Sequence, residues 1–216
     1  MSLSVLLSFS ITSLILAAAP GPDNIFVLTQ SALYGVRKGI LVIVGLSIGI
    51  VIQTLCMIVG ITAFITAVPI LMLLLKIAGA CYLGYLAFMA IKHARSVAHI
   101  DLNSTPSQEQ AKLTPYRLIR RGVIMNITNP KVQLFFLSFF PQFLPEGIKG
   151  WELMGYMALL GLIFALATVV VFCAVAIFSG SLAAQFKSVK FNLCLNYSAA
   201  LIFIALAVYT LASAFE

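Results

Sequence analysis

The sequence predicts an all-α membrane protein whose six transmembrane helices form a 3+3 inverted repeat. Of its 216 residues, 62% are hydrophobic and only 9% are charged, whereas soluble domains are about 25% charged. Several apolar stretches exceed the roughly 18 residues that indicate a bilayer-spanning helix. Pro22 and Pro130 are 108 positions apart, half of the chain length, and each interrupts the first apolar stretch of its half.

The first apolar stretch runs from about Leu3 to Tyr34 and contains Pro20, Gly21 and Pro22. An unbroken helix of this length would extend about 48 Å, too long for a straight crossing of a core about 30 Å thick. Proline lacks an N–H and clashes with the carbonyl group four residues earlier. We therefore predict a first crossing that is broken at Pro20–Pro22.

Five further crossings follow within a single integral-membrane domain, residues 1–216. A polar loop at about 93–121 separates the first repeat, about 1–92, from the second, about 122–216. Pro130 is predicted to break the fourth crossing as the earlier prolines break the first. The further crossings are predicted at Gly39–Ala67, Pro69–Ile91, Gly122–Phe143, Trp151–Phe178 and Phe191–Phe215.

The basic residues predict the orientation, because Lys and Arg concentrate in cytoplasmic loops. One side of the predicted topology holds ten of them and the other holds Lys149 alone, so both termini are predicted to lie outside. The net charge of +7 thus indicates contact with anionic lipid headgroups, and no nucleic-acid partner is expected. The ten residues are Arg37, Lys38, Lys92, Arg95, Lys112, Arg117, Arg120, Arg121, Lys187 and Lys190.

Glycines at the start of the second crossing recur four residues apart, as Gly35/Gly39 and Gly45/Gly49. Small residues at this spacing let two membrane helices approach closely. The sequence leaves open whether they serve packing within the chain or the face of a homodimer.

Proline-interrupted helices in matching positions of two inverted halves are the sequence feature that indicates a transport site. In hydrocarbon each unpaired backbone group costs several kcal/mol, so the breaks must face protein or a wet cavity. The helix starts near Pro22 and Pro130 offer amides that suit a carboxylate, and the freed carbonyls around residues 16–18 suit an ammonium. Together the breaks predict a site for a zwitterion.

Asp23 and Lys131 are the charged residues at the breaks, and they too are 108 positions apart. An ionisable residue inside a membrane costs roughly 2.5–3.5 kcal/mol on insertion scales, so it indicates function by default. Asp23 is interpreted as the ligand of a substrate ammonium or as the proton-coupling carboxylate, and Lys131 as the ligand of a substrate carboxylate. In the competing interpretation Asp23 only caps its own half-helix, and the two charges neutralise each other.

Other polar residues complete the candidate site. Three asparagines beside the breaks either cap helix ends or contact the substrate, and Gln53 is interpreted as an interhelical hydrogen-bond donor. The predicted substrate-binding residues are Pro20, Gly21, Pro22, Asp23, Asn24, Asn126, Asn129, Pro130 and Lys131.

Other classes of membrane chemistry lack the residues they need. A thiol–disulfide electron conduit requires paired cysteines at the breaks, and residues 19–24 and 126–131 contain none. A metal-ion transporter requires clustered His, Cys or carboxylate ligands within the crossings, where Asp23 is isolated. No catalytic motif predicts an enzyme, and no metal or other cofactor is expected.

Four separated motifs carry a family resemblance that covers nearly the whole chain. Residues 19–24 (APGPDN) with the following glycine series, residues 75–86 (LKIAGACYLGYL), residues 126–131 (NITNPK) and residues 140–143 (FPQF) resemble the LysE/RhtB family of amino-acid exporters. The resemblance implies proton-driven efflux of amino acids across the bacterial inner membrane. The balanced pair of charges favours neutral zwitterions such as threonine, homoserine or leucine-like substrates.

Overall fold

The structure, a computed structural model, describes residues 3–19, 21–64, 69–92, 94, 113–145, 147–186 and 188–212. Within these ranges the regular structure is entirely helical, which confirms the predicted all-α class. The α-helices are α1 (Leu3–Ala18), α2 (Pro22–Tyr34), α3 (Val36–Phe64), α4 (Pro69–Lys92), α5 (Pro115–Thr128), α6 (Pro130–Leu134), α7 (Gly150–Ile177), α8 (Ser179–Phe186) and α9 (Val189–Ala212).

Three helices are each long and apolar enough to cross a bilayer: the Val36–Gly60 part of α3, α7 and α9. Helices α1 and α2 meet the same criteria together, as a pair bent by 62° that is either a broken crossing or a re-entrant loop. The described ranges therefore contain three helices that could cross a membrane, or four candidates if the bent pair is one crossing. The rest of the six-crossing arrangement stays a prediction.

The first predicted break is present. Helix α1 ends at Ala18 and α2 begins at Pro22, with Gly21 in extended conformation (φ −167°, ψ 175°) directly before it. Pro20 lies outside the described residues.

The second predicted break is also present. Helix α5 ends at Thr128 and α6 begins at Pro130, and Asn129 between them is extended (φ −73°, ψ 111°). After α6 the chain continues as a π-helix, Phe135–Phe139, and a 3₁₀-helix, Phe140–Phe143. The second part of this segment is therefore irregular as well as broken.

The start of α5 differs from the sequence prediction. The apolar stretch predicted a start at Gly122, whereas the helix begins at Pro115 and includes the end of the predicted loop. Thr114 Oγ1 accepts a hydrogen bond from the backbone N–H of Arg117 at 3.4 Å, and a proline in the first turn needs no N–H. Capping thus extends the helix beyond the point where hydropathy ends.

Two groups of contacts organise the helices. Helix α3 packs on α5 and α7, helix α7 packs on α1 and α2, and α4 packs on α9. The core beside α6 is an aromatic cluster, with ring centroids 4.8 Å apart for Phe135 and Phe164 and 5.1 Å apart for Phe136 and Phe140. The aromatic cluster comprises Phe9, Phe135, Phe136, Phe139, Phe140, Phe143 and Phe164.

Helices α3 and α5 approach most closely where Gly45 faces Gly122. A Cβ on Gly45 would collide with the carbonyl oxygen of Ile119, and a Cβ on Gly122 would collide with that of Val42. Both obstacles are backbone atoms, which cannot move aside as a flexible side chain can. The small residue at position 45 therefore serves packing within the chain.

Gly35 and Gly39 have different roles. Gly35 has φ +91° and ends α2, a conformation that side-chain-bearing residues rarely adopt. Gly39 packs against the side chain of Ser31, and a Cβ there would collide with Ser31 Oγ.

We expect Gly45→Ala and Gly122→Ala each to destabilise the protein, because the added methyl group overpacks a backbone contact at a cost of about 1–3 kcal/mol. The measurement is thermal unfolding of the purified protein in detergent. Gly60→Ala and Gly155→Ala are the matched controls, since a Cβ at either position meets no atom within 4 Å. Equal unfolding temperatures for all four variants would contradict the close crossing.

Candidate functional site

The two helix breaks face each other and bring the charged and amide side chains of the predicted site together. These side chains are almost fully enclosed, with exposed fractions of 4% for Asp23, 7% for Lys131 and at most 5% for the asparagines. The prolines differ, since Pro22 and Pro130 are exposed. The asparagines concerned are Asn24, Asn126 and Asn129.

Asp23 and Lys131 are held by different partners. Asn129 Nδ2 donates a hydrogen bond to Asp23 Oδ2 at 2.5 Å. Lys131 Nζ donates to the carbonyl oxygens of Leu16 at 3.1 Å and Ala19 at 2.9 Å. The ammonium therefore lies at the open end of α1, where the helix dipole is negative, and each charged group has hydrogen-bond partners of its own.

The carbonyl groups at the end of α1 receive side-chain donors in place of backbone ones. The helical partner of the Leu16 carbonyl would be residue 20, a proline without an N–H, and Lys131 Nζ replaces it. Asn24 Nδ2 donates to the Ala17 carbonyl oxygen at 2.9 Å. The sequence predicted that these freed carbonyls suit an ammonium, and the Lys131 ammonium binds the carbonyl of Leu16.

At the second break, a side chain from the first half of the chain donates to a backbone carbonyl of the second half. The Asn126 carbonyl cannot pair with residue 130, again a proline, and accepts the Asn129 backbone N–H at 3.2 Å instead. Gln53 Nε2 of α3 is a second donor to this carbonyl at 3.0 Å, and it donates to Asn126 Oδ1 at 2.9 Å. This confirms the predicted interhelical role of Gln53. Asn129 Oδ1 accepts from the Lys131 backbone N–H at 3.0 Å and so caps α6.

The surroundings of Asp23 combine a helix start with a contact to the other break. Asp23 lies in the first turn of α2, where a carboxylate is favoured by the helix dipole, and the hydrogen bond that it accepts comes from Asn129. The second oxygen of Asp23, Oδ1, is buried and accepts no hydrogen bond from the part of the chain that the structure describes. Such a buried orphan is uncommon and calls for an explanation.

A small cavity lies between the breaks. Its volume is about 10 Å³, which is room for about one water molecule. Polar groups of Asp23, Asn126, Lys131 and Thr168 line it, together with the apolar residues Leu16, Ala17, Leu46, Val132, Phe164 and Phe172. The structure therefore describes a closed arrangement, and a ligand larger than water requires the helices to separate.

Other buried polar residues, of which Thr168 lines the cavity, were not predicted. Thr168 Oγ1 of α7, Gln30 Oε1 and Ser31 Oγ are buried without a hydrogen-bond partner among the described residues. Gln30 and Ser31 continue the buried face of α2 that begins at Asp23. A helical projection of α2 would have found them, because they lie seven and eight positions after Asp23, on the same side of the helix.

The described residues contain no group of three His, Cys, Asp or Glu side chains arranged as metal ligands. A family model described as LysE type translocator matches residues 14–214 of the chain. The chain belongs to this family. The match includes both breaks and every buried polar residue of the candidate site, so this LysE-type translocator is a membrane transporter by family.

Curated relatives agree with that class. The chain is 33% identical over 129 residues to an uncharacterized membrane protein of Pseudomonas aeruginosa, covering 59% of this chain and 58% of that protein. It is 28% identical over 144 residues to a leucine efflux protein of Klebsiella pneumoniae, covering 66% and 65%, and 30% identical over 138 residues to one of Salmonella typhimurium, covering 63% and 62%. The chain thus spans less than two thirds of the length of each. No solved structure matches it.

We expect Gln53→Leu to destabilise this LysE-type translocator by about 1–3 kcal/mol, because it removes the donor to the buried Asn126 Oδ1 and one of the two donors to the Asn126 carbonyl. Asn126→Ala should cost less in that variant than in the unchanged protein, since the donor to Oδ1 is then already absent. A double-mutant cycle on the thermal unfolding of purified protein measures the coupling. Gln133→Leu is the matched control, because Gln133 is exposed and donates to a carbonyl outside the cavity. Strictly additive effects of the Gln53 and Asn126 changes would contradict the assignment.

Proposed function

We propose that the protein exports neutral amino acids from the bacterial cytoplasm in exchange for protons. The observation that carries this proposal is one buried carboxylate and one buried ammonium, Asp23 and Lys131, lining a single cavity between two helix breaks. A zwitterion adds no net charge to such a site, whereas a cationic amino acid would add one in a region of low dielectric constant. Membership of the LysE type translocators and relatives named leucine efflux protein support the same substrate class.

The proposed architecture is six crossings in two inverted repeats, in the inner membrane, with both termini outside. The packing supports it in part. If the first three crossings are exchanged with the last three, the α3–α5 contact becomes the α7–α1 contact, and the α3–α7 and α4–α9 contacts are unchanged, as two repeats would require. The α2–α3 contact and the contact of the π-helix with α4 have no counterpart of similar extent among the described residues.

Asp23 is the proposed site of the coupled proton. Among the described residues it is the one buried acid, and an intramembrane carboxylate is the group that proton-coupled transporters use. Its Oδ2 is engaged by Asn129 and its Oδ1 is free of hydrogen bonds from the described residues, so a proton has an available oxygen. The neighbouring Lys131 is already satisfied by backbone carbonyls.

Transport also requires that the closed cavity opens toward each side in turn. A leucine molecule has nine non-hydrogen atoms and does not fit a space for about one water molecule. We infer that the substrate enters when the breaks separate on the cytoplasmic side and leaves when they separate on the other. The close glycine contacts of α3 favour movement of packed helices as units.

We expect Asp23→Asn to abolish net export while leaving expression and membrane insertion near normal, because the amide keeps the shape but does not exchange a proton at neutral pH. The measurement is amino-acid release from loaded vesicles with and without an imposed pH gradient. Exchange of labelled for unlabelled substrate should persist, since it needs no net proton movement. Glu152→Gln is the matched control, an exposed acid at the start of α7. Wild-type export by Asp23→Asn would refute the coupling role.

The substrate class is tested by loading cells with a panel of dipeptides and following which amino acids leave faster when the protein is expressed. We expect faster release of neutral amino acids of the leucine and threonine type and no change for lysine or arginine, because these add a charge to the site. The Asp23→Asn variant provides the background rate. Faster release of basic amino acids alone would contradict the proposal.

A further inference from the structure

The ammonium of Lys131 occupies a binding site that is formed by a distant part of the chain. The site is the open end of α1, where the carbonyl oxygens of Leu16 and Ala19 lie 3.1 Å and 2.9 Å from Lys131 Nζ. The side chain that fills it is 7% exposed and lies more than a hundred positions away in the sequence. Gly21 leaves room for the ammonium, because a Cβ there would lie 3.2 Å from Nζ.

We propose that the carbonyl oxygens of Leu16 and Ala19 bind the ammonium group of the transported amino acid, and that the Lys131 side chain is an internal competitor which the substrate must displace. This inference rests on the proposed function for the identity of the substrate. It adds the position at which the substrate ammonium binds, and it identifies Lys131 as the group that occupies this position in the closed arrangement.

Displacement places every charge beside an opposite one. The substrate ammonium takes the hydrogen bonds of the α1 carbonyls, which leaves Lys131 Nζ without acceptors. The substrate carboxylate, bonded to the same carbon as the ammonium, then becomes the partner of Lys131. Carbonyl dipoles, substrate ammonium, substrate carboxylate and Lys131 ammonium would form an alternating series, and the total charge of the site is that of the closed arrangement.

The remaining contacts are available in the same cavity. Asp23 Oδ1, Asn24 Oδ1 and Thr168 Oγ1 are buried and lack hydrogen-bond partners within the described ranges, and Asp23 and Thr168 line the cavity. An ammonium has three N–H donors, so one remains after it has bound both carbonyls. Their unsatisfied state is costly in the closed arrangement, which favours a polar ligand.

Competition by Lys131 predicts a requirement for a carboxylate. An amine without a carboxylate cannot displace Lys131 at low cost, because the released ammonium would remain buried without a partner. Removing the Lys131 ammonium removes this barrier. The open end of α1 should then bind simple alkylammonium ions that the unchanged protein rejects.

The experiment uses Lys131→Ala, which deletes the Cγ, Cδ, Cε and Nζ atoms and so leaves a space that n-propylammonium fills atom for atom. The full-length variant and the unchanged protein are purified in detergent, and thermal unfolding is followed at increasing n-propylammonium concentration. We expect the unfolding temperature of Lys131→Ala to rise by at least about 3 °C at saturation. The unchanged protein should show no rise.

Three controls isolate the ammonium site. Propan-1-ol has the same carbon chain without the charge, and tetramethylammonium has the charge without N–H donors, so neither should stabilise Lys131→Ala. Val132→Ala makes a buried space beside the same cavity but keeps Lys131, so n-propylammonium should not stabilise it. Equal stabilisation by propan-1-ol would show a cavity that merely accepts alkyl chains and would overturn the inference.

Two further outcomes are decisive. If the yield of Lys131→Ala is poor, the yield of monodisperse protein is compared after solubilisation with and without n-propylammonium. A rise in the yield of Val132→Ala with no rise in the yield of Lys131→Ala would overturn the inference. Failure of the proposed function is distinguishable, because it would appear as absent amino-acid export. Stabilisation by n-propylammonium would then persist and identify an ammonium site for another cationic or zwitterionic substrate.

Discussion

The constraint on which the rest of the structure depends is that a carbonyl group released by a proline, in apolar surroundings, must find another donor. Pro20 and Pro130 cannot donate to the carbonyls of Leu16 and Asn126. The Lys131 ammonium donates to the first, and the Gln53 amide donates to the second beside the Asn129 backbone N–H. The first role of these polar side chains is therefore to satisfy backbone carbonyls. A ligand site can arise because a ligand can replace a side-chain donor, whereas it cannot replace the N–H of a continuous helix.

Each of these two side-chain donors comes from the other half of the chain, which ties the two breaks together. Lys131 donates to the end of α1, and Gln53 of α3 donates to the end of α5. Asn129 adds a third link through Asp23. No separation of the breaks can occur without replacing these bonds, either by water or by a ligand with matching groups. The closed cavity of about 10 Å³ and the buried charge pair are thus two consequences of one hydrogen-bond network.

Much of this arrangement could be predicted from the sequence, because prolines and charged residues inside apolar stretches have few physical explanations. Both breaks and the burial of Asp23 and Lys131 were predictable on that ground. The start of α5 at Pro115 was not, since hydropathy does not register a capped helix that continues through arginines. The acceptors of Lys131 could not be specified either, because sequence predicts that α1 exposes carbonyls but not how far a lysine from another helix reaches. The π-helix after Leu134 has no sequence signal that distinguishes it from α-helix.

The residues that follow Asp23 differ in polarity from those that follow Lys131, and this difference bears on the proposed direction of transport. The buried face of α2 continues from Asp23 with Gln30 and Ser31, whose oxygens lack partners among the described residues, whereas Lys131 is succeeded by the aromatic cluster. Water entering along α2 would satisfy groups that each cost about 1–3 kcal/mol unpaired. Water entering through the aromatic cluster would expose apolar surface at about 25 cal/mol per Å². In the proposed orientation α2 leads toward Arg37 on the cytoplasmic side. Water therefore enters more easily along α2 than through the aromatic cluster, and the α2 side is the one from which an exporter takes up its substrate.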